Sequence, residues 1–403
     1  MTTTIRLRGP ADVLAVLPYQ LGFHPTDCLV VVSLHGTRVG LIQRIDLPPA
    51  EQVPEAVAAL LGPLRSDRPG SVLMVGFEPA PGRSAALLEA LTSACIEAGL
   101  VVADRLVVRG DRWYSADCDD PGCCPAEGTP LPHGAQVPAV AEFVGREIAP
   151  LPDRAALESR VRAGRPLLVR AVGACAEEWF AHRRTLLDRA DGELGVCRAH
   201  ELAVWHELLR CDDGARDVLD LPPEELARAA VSLTDIELRD ALVAWLCPGT
   251  LDLDLIAPDL LAQLQSALPV RRWYAADGEG EVLAPGPVPQ PGGGGEAEGQ
   301  GDADGRRGRD LHRLERRLCD LCSALPDEWA VAALTVLASF TWWRGDGALT
   351  RIALERALAT DPAYRLATLL ERMVDLAIRP TQARVSPASS TRTAAGHPPG
   401  RAV

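Results

Sequence analysis

The sequence contains no lysine and no asparagine, so all 41 of its basic residues are arginines. The absence of lysine excludes a Schiff-base lysine, a P-loop lysine and a kinase-type Lys–Glu pair. The absence of asparagine excludes N-glycosylation and a protease of the Cys-His-Asn type. A GC-rich genome accounts for this residue usage. These absences therefore limit the available chemistry without indicating a function.

Basic residues are also outnumbered by acidic ones, which gives a net charge of -14 at pH 7. That charge disfavours binding of the whole chain to nucleic acid or to anionic lipid. No basic, apolar leader is visible, and no apolar run approaches the roughly 18 to 20 residues of a membrane span. We therefore expect a cytoplasmic protein without a membrane or nucleic-acid partner, in which the 11 cysteines are reduced.

Residues 1–132 alternate between helix-type and strand-type patterns. "CLVVVSL" and "RVGLIQRIDL" flank turn residues and predict a hairpin, and a second hairpin is predicted to turn at Gly110 and Asp111. A short strand, "IRLR", and a helix that stops near Pro18 precede the first hairpin. The pattern predicts an α/β domain with a mixed sheet, hairpins and packed helices, which ends in a cysteine-rich loop.

The rest of the chain loses the strand signal. Apolar residues at helical spacing predict an all-α carboxy-terminal part, with helical regions at 133–275 and 310–378. Between them, residues 276–309 are rich in Gly and Pro and predict a disordered linker. Residues 379–403 show no core-forming pattern and predict a disordered tail.

One segment of the second helical region, "WWRGDGALTRIALERALATDP", resembles a helical hairpin of the tetratricopeptide type. Ala338, Thr341 and Thr350 stand where that motif has Gly, Tyr and Ala. We expect a hairpin packed on its neighbours, and a protein partner that binds through the helical region. In the same region, Cys319 and Cys322 share one helical face with leucines and are predicted to belong to the core.

The loop "DCDDPGCCPAEGTPLPH" concentrates candidate metal ligands: Cys118, Cys123, Cys124 and His133. Thiolate and imidazole groups are ligands of zinc, and four of them could close a tetrahedral site. The spacing differs from that of paired CxxC knuckles. Three interpretations stay open, namely thiols in a structured loop, a metal site with zinc as its ion, and a redox or disulfide site.

Acidic residues surround these thiols, at Asp117, Asp119 and Asp120. Their negative charge favours a bound cation. The same charge predicts raised thiol pKa values and weaker nucleophilicity.

A second polar loop, "LGFHPTDC", precedes the first buried strand. His24, Thr26 and Asp27 could bind a small ligand there, because ligands tend to bind where loops leave the end of a sheet. The alternative is a structural entry in which Gly22 permits a reversal and Pro25 with Asp27 sets the turn.

Three ordered blocks, "IRLRGPADVLAVLPYQLGFHPTDCLVVV", "RWYSADCDDPGCCPAEGTPLP" and "WWRGDGALTRIALERALATDPAYRLATLL", resemble the actinobacterial family catalogued as domain of unknown function 4192. The resemblance implies no established activity, cofactor or catalytic residue. Members of that family usually show Ser after the "HPTD" loop, where this chain has Cys28.

Two functions from different classes follow. We favour a non-catalytic binding or regulatory module that uses the α/β domain and the helical region, since no complete catalytic constellation is visible. The alternative is a small-ligand-binding protein or enzyme, with one site formed by the His24–Asp27 loop and the Cys118–Cys124 loop. The alternative requires these two loops to converge.

Overall fold

A computed structural model gives the fold. It describes residues 9–36, 38–118, 120–145, 147–187, 193–251, 255–268 and 298–378. The predicted "IRLR" strand, most of the predicted linker and the predicted tail lie outside these ranges.

The amino-terminal part is a six-stranded mixed sheet in the order β2-β1-β3-β4-β5-β6. β1 is antiparallel to both β2 and β3, β3 is parallel to β4, and β5 is antiparallel to its neighbours β4 and β6. The two predicted hairpins are thus the β1–β2 and β4–β5 pairs. The elements are α1 Pro10–Leu21, β1 Cys28–His35, β2 Arg38–Asp46, α2 Val53–Asp67, β3 Ser71–Phe77, α3 Ala85–Glu97, β4 Val101–Arg109, β5 Arg112–Ser115 and β6 Thr129–Pro130.

Both faces of the sheet are covered, which explains why β1 and β3 are apolar along most of their length. Leu29 and Val31 point to one face, where α2 and α3 bury them together with Met74. Val30 and Val32 point to the opposite face and join the core of the helical region. The alternation follows from the two-residue period of a strand.

The remainder of the described chain is helical, as the sequence predicts, and its apolar core is continuous with one face of the sheet. The helices are α4 Pro138–Val144, α5 Arg154–Ser159, α6 Pro166–Leu187, α7 Glu193–Leu208, α8 Pro223–Ser232, α9 Ile236–Leu246, α10 Pro258–Ala267, α11 Glu298–Ala324, α12 Asp327–Arg344, α13 Gly347–Thr360 and α14 Arg365–Asp375. Among the described helices, none combines the length and apolar character needed to cross a membrane.

The tetratricopeptide-like segment forms the α12–α13 hairpin. The hydroxyls of Thr341 and Thr350, two of the residues that depart from the motif, lie 2.9 Å apart and form a hydrogen bond between the buried faces of the two helices.

Two boundaries differ from the sequence-based prediction. The first helix continues through Pro18 to Leu21 and ends at Gly22, which has a φ of 78°. Pro18 lies in the last turn, where its missing N–H removes a single helical bond, and its ring is buried. α11 begins at Glu298, so residues 298–309 of the predicted linker are helical. A packed helix propagates at little cost into adjacent residues once its nucleus exists.

Cys319 and Cys322 are each 1% exposed in the core, as predicted. Burial raises the pKa of the Cys322 thiol to about 12 and that of Cys319 well above its ordinary value. Neither thiol has the exposure or the thiolate character that redox or metal chemistry requires.

Candidate functional site

The two candidate loops leave the sheet at different strands. The His24–Asp27 loop enters β1, and the Cys118–Cys124 loop follows β5. Because β3 and β4 lie between β1 and β5, and neighbouring strands are about 4.8 Å apart, the two loops start about 14 Å from each other across the sheet. The turn at Gly110 lies at the same end of the sheet as Asp27, because the start of β1 is aligned with the ends of β3 and β4. From this turn β5 runs toward the opposite end of the sheet, where the Cys118–Cys124 loop begins. The structure therefore does not bring the two loops together.

The backbone of the His24–Asp27 loop is bonded to neighbouring segments. The N–H of His24 donates to the carbonyl oxygen of Leu151 at 2.9 Å, and the carbonyl oxygen of Asp27 accepts from the N–H of Leu47 at 3.0 Å. Asp27 has a φ of 44°, a left-handed conformation that short polar residues tolerate in turns. Pro25 is buried, whereas the predicted ligand-binding residues His24, Thr26 and Asp27 are exposed.

Arg83 holds this loop in place from the segment before α3. Its guanidinium donates to the carbonyl oxygens of Pro48 at 2.9 Å and Leu47 at 2.7 Å. The same group lies 3.8 Å from the carboxylate of Asp27. The Asp27 carboxylate thus faces a side chain that is already occupied with backbone carbonyls. The geometry here is that of a structural turn.

Next to this turn, Glu78 is a buried carboxylate that the sequence reasoning did not single out. It accepts hydrogen bonds from the backbone of Gly82 at 3.1 Å and of Ser84 at 2.8 Å, and from the Ser84 hydroxyl at 2.6 Å. A Cβ on Gly76 would lie 2.3 Å from the Ser84 hydroxyl oxygen, so only glycine fits there. Because Ser84 is fully buried, this arrangement fixes the loop before α3 and presents no nucleophile.

Cys28, where the resembled family usually shows Ser, is fully buried at the start of β1. Desolvation raises the pKa of its thiol to about 11, although the Arg44 guanidinium opposes that effect. Cys28 is therefore an unreactive core residue.

The Cys118–Cys124 loop has the opposite character, because its side chains converge. The Sγ atoms of Cys118, Cys123 and Cys124 all lie within 4.8 Å of one another. The Sγ atoms of Cys118 and Cys123 are 3.2 Å apart. Cys123 is exposed, and the other two thiols are half-buried, so that all three are accessible.

A turn centred on Asp120 produces this convergence. The carbonyl oxygen of Asp120 accepts from the N–H groups of Cys123 at 3.2 Å and Cys124 at 2.8 Å. Its carboxylate accepts from the N–H of Gly122 at 2.8 Å. The local signal is "DPG", a turn sequence whose consequence for two adjacent cysteines was missed.

The chain on both sides of the loop is hydrogen-bonded to side chains of β4 and β5. On one side, the Arg105 guanidinium on β4 donates to the carboxylate of Asp117, with its Nε 3.0 Å from each oxygen. On the other side, the Tyr114 hydroxyl donates to the carbonyl oxygen of Glu127 at 3.2 Å. Gly128, with a φ of 79°, lies against the Tyr114 ring, where a Cβ would come within 2.6 Å of ring carbons.

The three thiols differ in acidity. Hydrogen bonding from the Asp120 backbone and from the neighbouring thiols lowers the pKa of Cys118. Hydrogen bonding to Cys118 raises the pKa of Cys123, and raises that of Cys124 to about 12. The sequence predicts raised values throughout. For Cys118 the prediction is wrong, because these hydrogen bonds outweigh the repulsion from Asp120.

His133, the fourth predicted ligand, does not join the cluster. Among the described residues, the group of ligand-type side chains that converge comprises the three cysteines alone. His133 is exposed beyond β6, and its carbonyl oxygen accepts from Gln136 at 2.8 Å at the start of a short 3-10 turn.

The spacing of the sulfurs suits a tetrahedral ion. Zinc binds thiolate sulfur at about 2.3 Å, which in a tetrahedron sets neighbouring sulfurs about 3.8 Å apart. The 3.2 Å between Cys118 and Cys123 and the 4.8 Å limit for the whole cluster lie on either side of that value. Three sulfurs leave the fourth position of the ion open.

The family comparison agrees with the resemblance seen in the sequence. A model described as "Domain of unknown function (DUF4192)" matches residues 10–268 and 304–381. No curated protein and no solved structure matches the chain. Since the match covers most of the chain, from α1 through α14, the protein belongs to the DUF4192 family.

Proposed function

We propose that this protein is a non-catalytic metal-binding module, in which Cys118, Cys123 and Cys124 hold one zinc ion through three thiolates. The observation that carries the proposal is the convergence of three accessible sulfur atoms within 4.8 Å. Soft thiolate ligands select zinc and copper(I) among the biological metals. An exchangeable ligand, such as water or a group from a partner, would occupy the fourth position.

The fold supports a regulatory role for such an ion. The Cys118–Cys124 loop is held to β4 through Asp117 and to β5 through Glu127, and the segment between these two contacts carries the three thiols. A bound ion would join Cys118 to Cys123 and Cys124, and so fix the conformation of the loop surface. The state of that surface would then report metal availability to a partner.

The alternative, a single ligand site shared by both loops, has less support. The sheet order separates the loops by two strands, and the backbone of the His24–Asp27 loop is bonded to Leu47 and Leu151. A ligand role for His24, Thr26 and Asp27 stays a prediction.

We place the protein in the cytoplasm of an actinobacterium, where its cysteines are kept reduced. The helical region, with the α12–α13 hairpin, is the surface through which we expect a protein partner to bind.

Zinc titration of the metal-stripped, reduced protein tests the proposal. In competition with a chromophoric chelator, the wild-type chain should bind one tight equivalent. Cys123→Ser should weaken binding by at least about 100-fold, because one of three ligands is lost. Cys175→Ser is the matched control, since Cys175 is a half-buried thiol on α6 outside the cluster. Equal affinities for Cys123→Ser and the wild-type chain would contradict the proposal.

A further inference from the structure

Two sulfurs of the cluster lie close enough to be joined by a small movement. The Sγ atoms of Cys118 and Cys123 are 3.2 Å apart, and a disulfide bond is about 2.05 Å long. A shift of roughly 1 Å would join them. The Asp120 turn already closes the loop that such a bond would span, so that little further chain ordering is needed.

We infer that Cys118 and Cys123 form a reversible disulfide, and that this disulfide and bound zinc exclude each other. The second half of the inference rests on the proposed function, because the bond would consume two of the three sulfur ligands. The first half concerns the metal-free chain and stands on the sulfur geometry alone.

The third thiol, Cys124, is a poor partner for its neighbour Cys123. A bond between the adjacent residues Cys123 and Cys124 would close an eight-membered ring and distort the peptide plane between them. The 3.2 Å contact between the sulfurs of Cys118 and Cys123 is free of that constraint, because four residues separate these two cysteines in the chain.

Most other cysteines are shielded from such chemistry. Cys28, Cys95, Cys197, Cys247, Cys319 and Cys322 are buried. Cys175, on α6, and Cys211, in the segment between α7 and α8, are half-buried and lie outside the cluster. A disulfide should therefore form within the cluster, where accessible sulfurs lie within 4.8 Å of one another.

A hydroperoxide is the oxidant class that completes the reaction. One thiolate of the pair attacks the O–O bond, so that an S–O bond forms, the peroxide is reduced, and the departing oxygen leaves as water or an alcohol after taking up a proton. The sulfenic acid that results is then attacked by the second sulfur. The S–S bond forms, the S–O bond breaks, and water leaves.

The test uses the full chain in metal-stripped and zinc-loaded forms, treated with a small excess of hydrogen peroxide. The metal-stripped chain should lose the mass of two hydrogen atoms, and fragmentation of the peptide that contains the loop should place the bond between Cys118 and Cys123. Cys124→Ser should retain the bond, whereas Cys118→Ser and Cys123→Ser should lose it. A reducing dithiol should restore the original mass.

The zinc-loaded chain should release its ion in step with the disulfide, as followed with a chromophoric indicator. A bond that involves Cys124, or sulfonic acids without any disulfide, would overturn the inference. Zinc that stays bound while the disulfide forms would overturn the exclusion of one by the other. A disulfide in a chain that never binds zinc would refute the proposed function and the exclusion while confirming the thiol pair.

Discussion

Two polar loops at the rim of one sheet use their residues in opposite ways. In the His24–Asp27 loop the backbone is bonded to Leu47 and Leu151, and the Asp27 carboxylate faces Arg83. In the Cys118–Cys124 loop the backbone turns on itself at Asp120, and three side chains are left to converge. The difference shows that polar composition near a strand does not make a site. A site requires side chains that meet one another and that the turn itself does not use.

The largest effect should separate the two loops directly. Cys118→Ser removes a sulfur ligand and should weaken zinc binding by at least about 100-fold. His24→Ala should leave zinc affinity unchanged, because the imidazole belongs to the other loop. Both variants should retain the thermal stability of the wild-type chain to within a few degrees. A loss of zinc affinity in His24→Ala would show that the His24–Asp27 loop affects zinc binding and that the two loops do not act independently.

Zinc affinity should also rise with pH. Cys123 has a raised pKa and Cys124 has one of about 12, so both thiols carry protons near neutral pH. Zinc must displace these protons, and each unit of pH lowers their competition. Between pH 6 and pH 7 the affinity should increase by more than about tenfold. Calorimetry in buffers of different ionisation enthalpy measures how many protons are released for each zinc ion bound. A zinc affinity that does not change with pH would argue against thiolate ligation.

Much of the fold could be predicted from sequence because its signals are local. Strand-type apolar runs and turn residues identify both hairpins, and helical spacing identifies the carboxy-terminal helices. The contact between Glu78 and Ser84 and the extension of α1 past Pro18 were missed. Glu78 acts through a tertiary contact that leaves no pattern in the sequence, and α1 tolerates Pro18 because the ring lies in its last turn.

The candidate site was predicted only in part, because some of its features depend on local sequence and others depend on tertiary pairing. The sequence indicates Cys118, Cys123, Cys124 and His133 as ligands, and the structure brings the three cysteines together. The tight turn at Asp120 gathers the thiols, whereas β6 carries the chain away from them before His133. Short-range turn chemistry could have been read from "DPG". The pairing of the two-residue strand β6 with β5, which sets the position of His133, could not have been predicted from the sequence.

A smaller effect should come from the support of the cysteine loop. Gly128→Ala places a Cβ within 2.6 Å of the Tyr114 ring at a φ of 79°, so the loop must shift. We expect zinc affinity to fall about tenfold through misplaced sulfurs, in the range that supporting residues of metal sites show. Gly110→Ala is the matched control, because Gly110 also has a positive φ, of 59°, but its Cβ would meet nothing within 4 Å. Equal zinc affinities in the two variants would show that the contact between Gly128 and the Tyr114 ring does not position the sulfurs.

The smallest effect should come from a substitution next to the His24–Asp27 loop. Arg83→Ala removes the hydrogen bonds to Leu47 and Pro48 and the contact with Asp27. The free energy of unfolding should fall by about 1–2 kcal/mol, as expected for charge-assisted bonds to partly buried carbonyls. Chemical denaturation measures this change, and zinc affinity should stay at the wild-type value. An unchanged stability would mean that the His24–Asp27 loop is not held by Arg83.

X-ray absorption at the zinc edge is the sharpest test of a three-sulfur zinc site, because it counts the sulfur atoms around the ion. We expect three sulfur neighbours at about 2.3 Å and one lighter atom around the ion in the zinc-loaded wild-type chain. Cys123→Ser should show two sulfur neighbours in whatever zinc it retains. A first shell made only of oxygen and nitrogen would contradict the assignment of the Cys118–Cys124 loop as a metal site.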